Sequence, residues 1–289
     1  MTWRTVVVKS KSRLSYKNDY LIIRNEKLNL IHLSEISTLL IDSTAVSITS
    51  YLISELMKRK IKVIFCDDKR NPQSELIPYY GAHNSSQTIM KQINWTLYTQ
   101  KIWTRIIKEK ICNQSKLLYS LDNKNYQKLI KYSEELQLMD STNREGHAAK
   151  VYFNSLFGME FSREESNDIN ASLNYGYSIL LSQFNKSIVN YGYLTQIGIK
   201  HSNYFNNFNL SSDLMEPFRP LIDKIVKNTE KVYFDTSMKL SLLEVLDNKI
   251  IIKNKEQYVS NAINIYVKSV FNAIENENTE LIEFYSYEF

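Results

Sequence analysis

The stretch SNDINASLNYGYSILLSQFNKSIVN, residues 166–190, decides how the second half of this chain folds. Its apolar residues recur at intervals of three or four, which is the spacing of one face of an α-helix. They are Ile169, Leu173, Tyr177, Leu180 and Phe184. Gly176 lies within the same segment and indicates that another helix approaches closely there, because glycine has no side chain to keep a neighbour away. We therefore predict one long helix with a packed face.

Helical spacing extends through the rest of the second half. No proline occurs between Ser85 and Glu216, so no residue of this range carries the strongest helix-breaking signal. The segment SQTIMKQINWTLYTQKIWTRIIKEKI, residues 86–111, predicts a second long helix. Its apolar face carries Trp95, Tyr98, Ile102 and Ile106. The sequence thus predicts an all-α domain over residues 85–289.

The first part of the chain has the pattern of β-strands. Short segments with β-branched or alternating apolar residues occur at 4–9, 20–25, 27–33, 37–42 and 61–66. One helix is predicted between the last two of these, in the segment STAVSITSYLISELMKRK, with Ser43 or Thr44 as its N-cap. The apolar residues expected on its buried face are Val46, Ile53, Leu56 and Met57.

The composition changes again at residues 67–84, DDKRNPQSELIPYYGAHN, which contain two prolines and a glycine and are typical of a connection. We place a β-rich domain at residues 1–72, a linker at 73–84 and the helical domain at 85–289. The predicted fold class is α+β, with a β-rich N-terminal domain and a larger all-α C-terminal domain.

Composition limits the classes of function. The formal net charge is +5, a mild excess that is compatible with a nucleic-acid partner and equally with a lysine-rich solvated surface. The two cysteines, Cys66 and Cys112, are far apart and form no CxxC pair, which argues against a zinc ribbon or a disulfide framework. No signal peptide or membrane-spanning segment is apparent. We expect a cytoplasmic protein.

The segment NREGHAAKVYFNSLFG, residues 143–158, contains the first candidate site residue, Glu145. Glu145 precedes the apolar face of the predicted helix by one turn, so it should lie on or beside the inward face near the helix start. His147 is about 200° away around a helix and should face elsewhere. An acid in the first helical turn is also favoured by the helix dipole, and for Glu145 taken alone this common structural role is the better interpretation.

Two further segments carry polar candidates. In IGIKHSN, residues 197–203, His201 follows a glycine and stands among polar neighbours, although a lone histidine is often structural. In SSDLMEPFRPLID, residues 211–223, Pro217 should bias Glu216 toward an extended backbone. The same segment also fits a helix N-terminus with Ser212 or Asp213 as its cap and Glu216 as a capping-box acid.

Two carboxylates and one imidazole brought together in a helical domain would make an oxygen-rich site. That donor set suits Mg²⁺ or Mn²⁺, and the histidine favours Mn²⁺. Zinc would prefer more histidine or cysteine, and a non-haem iron site would need two histidines and one carboxylate. Acids within a basic chain are reasonable if a metal ion bridges them to phosphate.

At these residues the sequence resembles the CRISPR-associated spacer-acquisition integrase. The resemblance covers essentially the whole chain, and the four segments that carry it occur in the family's order and spacing. They are NREGHAAKVYF (143–153), NDINASLNYGYSIL (167–180), QIGIKHSN (196–203) and SSDLMEPFRPLID (211–223). The segments WRTVVVKSKSRLSYKNDYLIIRN (3–25), IHLSEISTLLIDSTAVSIT (31–49) and VIFCDDKRNP (63–72) are similar to the type II branch, found beside the large RNA-guided nuclease.

The resemblance implies a β-rich dimerisation domain, a helical catalytic domain, and a metal-binding and catalytic triad of Glu145, His201 and Glu216. Some branches have aspartate at the last position, so the longer side chain of Glu216 is expected to alter the metal distance or preference while keeping the same chemistry. Asp213 and Arg219 are expected as supporting residues, with Arg219 and Asp223 as a structural pair.

The reaction that the resemblance implies is a transesterification. The 3′-hydroxyl of a short DNA fragment, the prespacer, attacks a phosphodiester at the end of a CRISPR repeat, and metal-dependent cleavage of branched DNA would follow from the same site. His201 would serve either as a metal ligand or as a proton acceptor.

The resemblance also implies partners. These are double-stranded DNA, a second copy of the chain, a dimer of the small second CRISPR adaptation protein that bridges two dimers, and in type II systems a ring-forming DNA-end protein and the effector nuclease. Basic residues on the aromatic-bearing helix are candidate DNA contacts, although a plain solvated face is as good an interpretation. They are Lys101, Arg105, Lys108 and Lys110.

Two other functions remain compatible with the sequence. A structure-selective DNA endonuclease would share the triad but use water as the nucleophile. A non-catalytic DNA-binding scaffold would need no metal site, so loss of Glu145 or Glu216 would leave its function intact.

Overall fold

The computed structural model describes residues 4–78 and 85–288. Eight strands and one helix occupy the first described range. They are β1 (Arg4–Val8), β2 (Ser12–Lys17), β3 (Tyr20–Arg24), β4 (Leu28–His32), β5 (Ile36–Ile41), β6 (Val46–Ile48), α1 (Ser50–Lys58), β7 (Lys62–Cys66) and β8 (Pro72–Leu76). The predicted β-rich region is thereby confirmed.

These strands form two four-stranded sheets. In the first, with the order β1-β5-β7-β8, the strands β1, β5 and β7 run parallel and β8 is antiparallel to β7. In the second, with the order β4-β3-β2-β6, two antiparallel pairs are extended by β6, which runs parallel to β2. Every residue of β5 is buried, because this strand is covered on both faces.

The two sheets and α1 share one apolar core. Burial of these side chains supplies the main driving force for this part of the fold. Its buried members include Val6, Leu39 and Val63 from the first sheet, Leu14 and Leu21 from the second, and Leu52 and Leu56 from α1.

The second described range is mostly helical. Its helices are α2 (Ser85–Ile93), α3 (Thr99–Ser120), α4 (Tyr126–Glu134), α5 (Arg144–Phe157), α6 (Asp168–Asn190), α7 (Asn209–Met215), α8 (Arg219–Asn228), α9 (Thr236–Leu243) and α10 (Val259–Glu275). The predicted long helix around Gly176 is α6, and it packs against α7, α8, α9 and α10. A Cβ on Gly176 would lie 2.5 Å from Cγ2 of Ile222 in α8, so the close helix approach is confirmed.

Helix α6 also packs against the first sheet. Leu40, Ile64 and Cys66 of β5 and β7 belong to the same apolar cluster as the buried face of α6. At the same junction, Gln183 Nε2 donates to Oγ1 of Thr38 at 2.6 Å. The β-rich and helical parts therefore share a core, which fixes the helical part against the sheet.

Several element boundaries differ from the sequence prediction. Helix α1 begins at Ser50, with Oγ1 of Thr49 accepting from the N–H of Leu52, whereas Val46 lies in β6. The prediction of Ser43 or Thr44 as the N-cap is therefore wrong. Residues 46–48 pair with β2 as a parallel strand, so the helix cannot begin before them.

The predicted helix over residues 86–111 is interrupted between Ile93 and Thr99. Near the end of α2, Nε2 of Gln92 donates to the carbonyl groups of Leu194 and Ile197. In the segment between the two helices, the ring of Trp95 packs on Tyr193. Tertiary contacts thus outweigh the continuous helical pattern at this point.

The second half of the chain is also not entirely helical. Strands β9 (Lys249–Ile252) and β10 (Lys255–Tyr258) form an antiparallel hairpin, and its turn residues Lys253 and Asn254 both have positive φ. The predicted linker at residues 73–84 overlaps β8, which pairs with β7, and residues 79–84 of that linker lie outside the described residues.

Within residues 4–78 and 85–288, no helix has both the length and the apolar composition that crossing a bilayer requires.

Candidate functional site

The acidic residue Glu216 lies in a single 3₁₀ turn, Glu216–Phe218, between α7 and α8. The carbonyl oxygen of Pro217 in this turn accepts hydrogen bonds from Nδ2 of Asn113 at 3.1 Å and from the hydroxyl of Tyr285 at 2.9 Å. The backbone of Glu216 is helical, with φ −50° and ψ −44°, so the predicted extended conformation is wrong. These two tertiary hydrogen bonds help to hold the turn and outweigh the local preference that the following proline imposes on Glu216.

Lys110 of α3 lies between the two candidate glutamates. Its Nζ is 2.6 Å from Oε1 of Glu145 and 2.6 Å from Oε2 of Glu216. The exposed fractions of the three side chains are 11% for Lys110, 28% for Glu145 and 5% for Glu216. Lys110 is therefore not on a solvated face, because its ammonium group is inside the candidate site, and its role as a DNA contact stays a prediction.

Glu145 stands in the first turn of α5. The carboxylate of Asp140 accepts the N–H groups of Arg144 at 2.6 Å and of Glu145 at 3.0 Å, so Asp140 caps this helix from outside. With its backbone fixed in this way, Glu145 faces α3, as expected for the inward side of the helix. His147 is exposed and lies against the ring of Tyr132, in agreement with the prediction that it faces elsewhere.

His201 is held by the fully buried carboxylate of Asp213. Oδ2 of Asp213 accepts the N–H groups of Ile199 and Lys200, at 2.6 and 3.0 Å, and Oδ1 lies 2.6 Å from Nδ1 of His201. Asp213 therefore orients the imidazole from within α7 and is not a helix cap. Because Nδ1 donates to this carboxylate, Nε2 is left as the nitrogen that a ligand can approach, and the His201 side chain is 46% exposed.

The charges of these groups influence one another. Burial raises the pKa of Glu216, but Arg219 and Lys110 outweigh burial and bring the pKa to about 2. Burial lowers the pKa of Lys110, but Glu216 and Glu145 outweigh burial and raise it above the usual value. The hydrogen bond with Asp213 raises the pKa of His201, with smaller contributions from the negative charges of Glu216 and Glu145. The three predicted triad residues thus lie within electrostatic range of one another.

Arg219 and Asp223 do not form the predicted pair. Nε of Arg219 donates to Oε1 of Glu216 at 3.0 Å, and its guanidinium group lies over the ring of Tyr177, 4.6 Å from the centroid. The carboxylate of Asp223 accepts from the hydroxyl groups of Tyr152, at 2.8 Å, and Tyr177. Arg219 therefore belongs to the candidate site, whereas Asp223 anchors two buried tyrosines of α5 and α6 behind it.

The donor types at this site fit a hard divalent cation, but the donors do not enclose one as they stand. Across the described part of the chain, no three His, Cys, Asp or Glu side chains are grouped closely enough to hold a metal ion. Oε2 of buried Glu216 lies 2.6 Å from Nζ of Lys110, so an ammonium group already stands between the two carboxylates where a divalent ion would bind. Two carboxylates and an imidazole oriented by a third carboxylate are the ligand chemistry that Mg²⁺ and Mn²⁺ accept.

The candidate DNA contacts on α3 have different surroundings. Lys101 and Lys108 are exposed, and the ammonium group of Lys101 lies over the ring of Tyr98. Arg105 is only partly exposed, and it forms an ion pair with Glu109 and lies over Phe284. Lys101, Arg105 and Lys108 stay predictions as DNA contacts.

Sequence reasoning missed the structural roles of Lys110, Asp140 and Asn113. Lys110 carried a usable signal, because it continues the apolar series Ile102 and Ile106 by one more step of four and is therefore a charged residue on a buried face. The roles of Asp140 and Asn113 depend on contacts between separate segments, and no local pattern marks them.

Comparison with known proteins identifies relatives over most of the chain. The family model described as CRISPR associated protein Cas1 matches residues 5–235. The CRISPR-associated endonuclease Cas1 of Neisseria meningitidis serogroup C (strain 8013) is 29% identical over 291 residues, covering 98% of this chain and 96% of that protein.

Solved structures share the fold. A casposase bound to integration product superposes with a TM-score of 0.76 at 18% identity, over 96% of this chain and 92% of that chain. A chain of a Cas6-RT-Cas1–Cas2 complex gives a TM-score of 0.70 at 18% identity, over 96% of this chain but 36% of that longer chain. At this level of identity the likeness shows the fold alone.

We predict that Gly198→Ala releases His201 from Asp213. A Cβ at position 198 would meet the carbonyl oxygen of His201 and lie 2.8 Å from Oδ2 of Asp213, so the loop must move. The raised pKa of His201 should then return toward its ordinary value. Histidine signals followed by NMR against pH measure this, with His201→Gln for assignment. Ser54→Ala, at an exposed position of α1 far from this loop in sequence, is the control. An unchanged His201 pKa in Gly198→Ala would contradict the role of the loop.

Asp223 should make stability depend on pH. Burial raises its pKa from 3.8 to about 6. The folded state therefore holds a proton that the unfolded state has released, so the free energy of unfolding falls as pH rises between about 4 and 6 and stays lower above that range. Relative to Asp223→Asn, the wild type should lose about 1 kcal/mol or more between pH 5 and 7.5. Urea unfolding of both proteins at several pH values measures the difference, and parallel pH profiles would contradict the assignment.

Proposed function

This chain belongs to the CRISPR-associated Cas1 family, and from that premise we propose that it is a divalent-metal-dependent DNA integrase of CRISPR adaptation. In this proposal it joins the 3′-hydroxyl of a prespacer to a phosphodiester at the end of a CRISPR repeat, and it also cleaves branched DNA. The observation that carries the proposal is the meeting of Glu145 and Glu216 at one cation, with His201 in electrostatic range.

The proposed metal ion is Mg²⁺ or Mn²⁺, and Glu145, His201 and Glu216 would hold it. When bound, such an ion supplies a positive charge that stabilises developing negative charge on the phosphate and makes a hydroxyl group more acidic. The protein's own contribution is to fix the donors. Pro217, held by Asn113 and Tyr285, positions Glu216, and Asp213 sets the orientation of His201.

The chemical step exchanges one phosphodiester for another. The prespacer 3′-oxygen forms a new bond to phosphorus, and the bond from phosphorus to the 3′-oxygen of the repeat strand breaks. The attacking hydroxyl loses a proton and the released 3′-oxygen gains one, so the reaction needs no oxidant, reductant or nucleotide. Nε2 of His201 would either ligate the metal ion or accept the proton of the attacking hydroxyl group. Arg219 stabilises the ionised form of Glu216.

The proposed partners follow from the family. They are prespacer and repeat DNA, a second copy of the chain joined through the β-rich domain, and a dimer of the small second adaptation protein that bridges two such dimers. One solved structure of similar fold comes from a Cas6-RT-Cas1–Cas2 complex, which supports the small second protein as a partner by analogy. In a type II system, the ring-forming DNA-end protein and the effector nuclease would join them.

The proposal is tested by a strand-transfer assay. The wild type with its small partner should join a labelled duplex bearing a 3′-hydroxyl to a supercoiled repeat plasmid in Mn²⁺ and not in EDTA. Glu216→Ala should lose this activity on the order of 100-fold or more, because the charge-stabilising site loses a donor. Glu134→Ala, which removes an exposed carboxylate of α4, is the matched control.

The outcomes separate the rival functions. Joining by Glu216→Ala at the wild-type rate would show that the assigned site is wrong. Binding of DNA by the wild type without any joining or nicking would favour a non-catalytic scaffold. Nicking without transfer of label would favour an endonuclease that uses water as the nucleophile.

A further inference from the structure

The candidate site is already close to electrical neutrality without a divalent ion. Glu145 and Glu216 carry negative charges, and Lys110 and Arg219 carry positive charges that contact the same carboxylates. Asp213 and His201 are paired with each other beside them. A divalent ion that enters while both cations remain therefore meets at most the single negative charge of Asp213, and it leaves the site with about one or two excess positive charges in a largely buried place.

The surroundings of Lys110 keep its ammonium group inside the site, so it must find a new partner there when it is displaced from a carboxylate. Lys110 stands on α3 between the fully buried residues Ile106 and Ile111, and its side chain is mostly buried. Its Nζ takes the position between the two carboxylates that a shared cation would occupy. Either this ammonium group gives up its carboxylates, or an additional negative charge must enter with the metal ion.

We propose that Lys110 is an internal counter-cation that makes divalent-metal binding depend on DNA. A DNA phosphate supplies the missing negative charge, and the displaced ammonium group of Lys110 has a new partner in that phosphate. Metal ion and DNA then bind with positive cooperativity, each raising the affinity of the site for the other by the same factor. This inference rests on the proposed function, since it assumes that Glu145 and Glu216 hold the metal ion.

Substitution of Lys110 separates the effect of the internal ammonium group on Mn²⁺ affinity from the effect of DNA. Lys110→Met removes the internal cation, so Mn²⁺ should bind without DNA with an affinity raised on the order of tenfold or more, and added DNA should raise it much less than in the wild type. Lys110→Arg keeps a cation and should retain weak binding without DNA and a strong DNA effect. Lys128→Met, on an exposed site of α4, is the matched lysine control.

The experiment is a titration of the full chain with Mn²⁺, in which electron paramagnetic resonance measures the concentration of the free ion. It is done with and without a DNA duplex whose dideoxy 3′ ends lack the attacking hydroxyl group. Glu216→Gln reports Mn²⁺ bound elsewhere on the protein or the DNA. Thermal unfolding of Lys110→Met with and without Mn²⁺ gives a second readout. Without the ammonium group between them, the carboxylates of Glu145 and Glu216 should repel and lower the melting temperature, and bound Mn²⁺ should restore it.

The expected pattern is weak wild-type binding that DNA strengthens, with strong and DNA-insensitive binding in Lys110→Met. Equal Mn²⁺ affinity of wild type and Lys110→Met without DNA would overturn the role of Lys110 while leaving the metal site in place. If wild type, Lys110→Met and Glu216→Gln bind Mn²⁺ alike under both conditions, the site holds no metal ion, and the proposed function falls together with this inference.

Discussion

The contact of Lys110 with Glu145 and Glu216 is the interaction on which the arrangement of the candidate site depends. It connects three segments that are distant in sequence: the middle of α3, the first turn of α5, and the 3₁₀ turn between α7 and α8. Two carboxylates held near each other repel, so a cation between them stabilises the arrangement. The side chain of Lys110 provides that cation within the chain itself.

The imidazole of His201 is positioned by a separate set of hydrogen bonds. Asp213 lies on α7, three residues before Glu216, and its buried carboxylate collects the backbone N–H groups of the loop that carries His201. One short helix therefore positions both the histidine and the second glutamate. Gly198 permits the close passage of this loop, since any Cβ there would meet the backbone of His201 and the carboxylate of Asp213.

Much of the fold was accessible from sequence, because the apolar spacing of α6 and of the β-strands is local and strong. The candidate residues were accessible through motifs that keep Glu145, His201 and Glu216 in order. The contacts between them were not, since they depend on how separate helices pack. The pairing of Arg219 with Asp223 was wrong for this reason: two tyrosines from other helices satisfy Asp223, and Arg219 is left for Glu216.

The central claim is that Glu145, His201 and Glu216 form one divalent-metal site. Its most direct test is a crystal of the protein with DNA grown in Mn²⁺, with diffraction data collected at the manganese absorption edge. The account predicts one anomalous peak per chain within ligand distance of both glutamates and of Nε2 of His201, with Nζ of Lys110 moved away from at least one carboxylate. A peak elsewhere, or Mn²⁺ bound with none of these three side chains as a ligand, would contradict it.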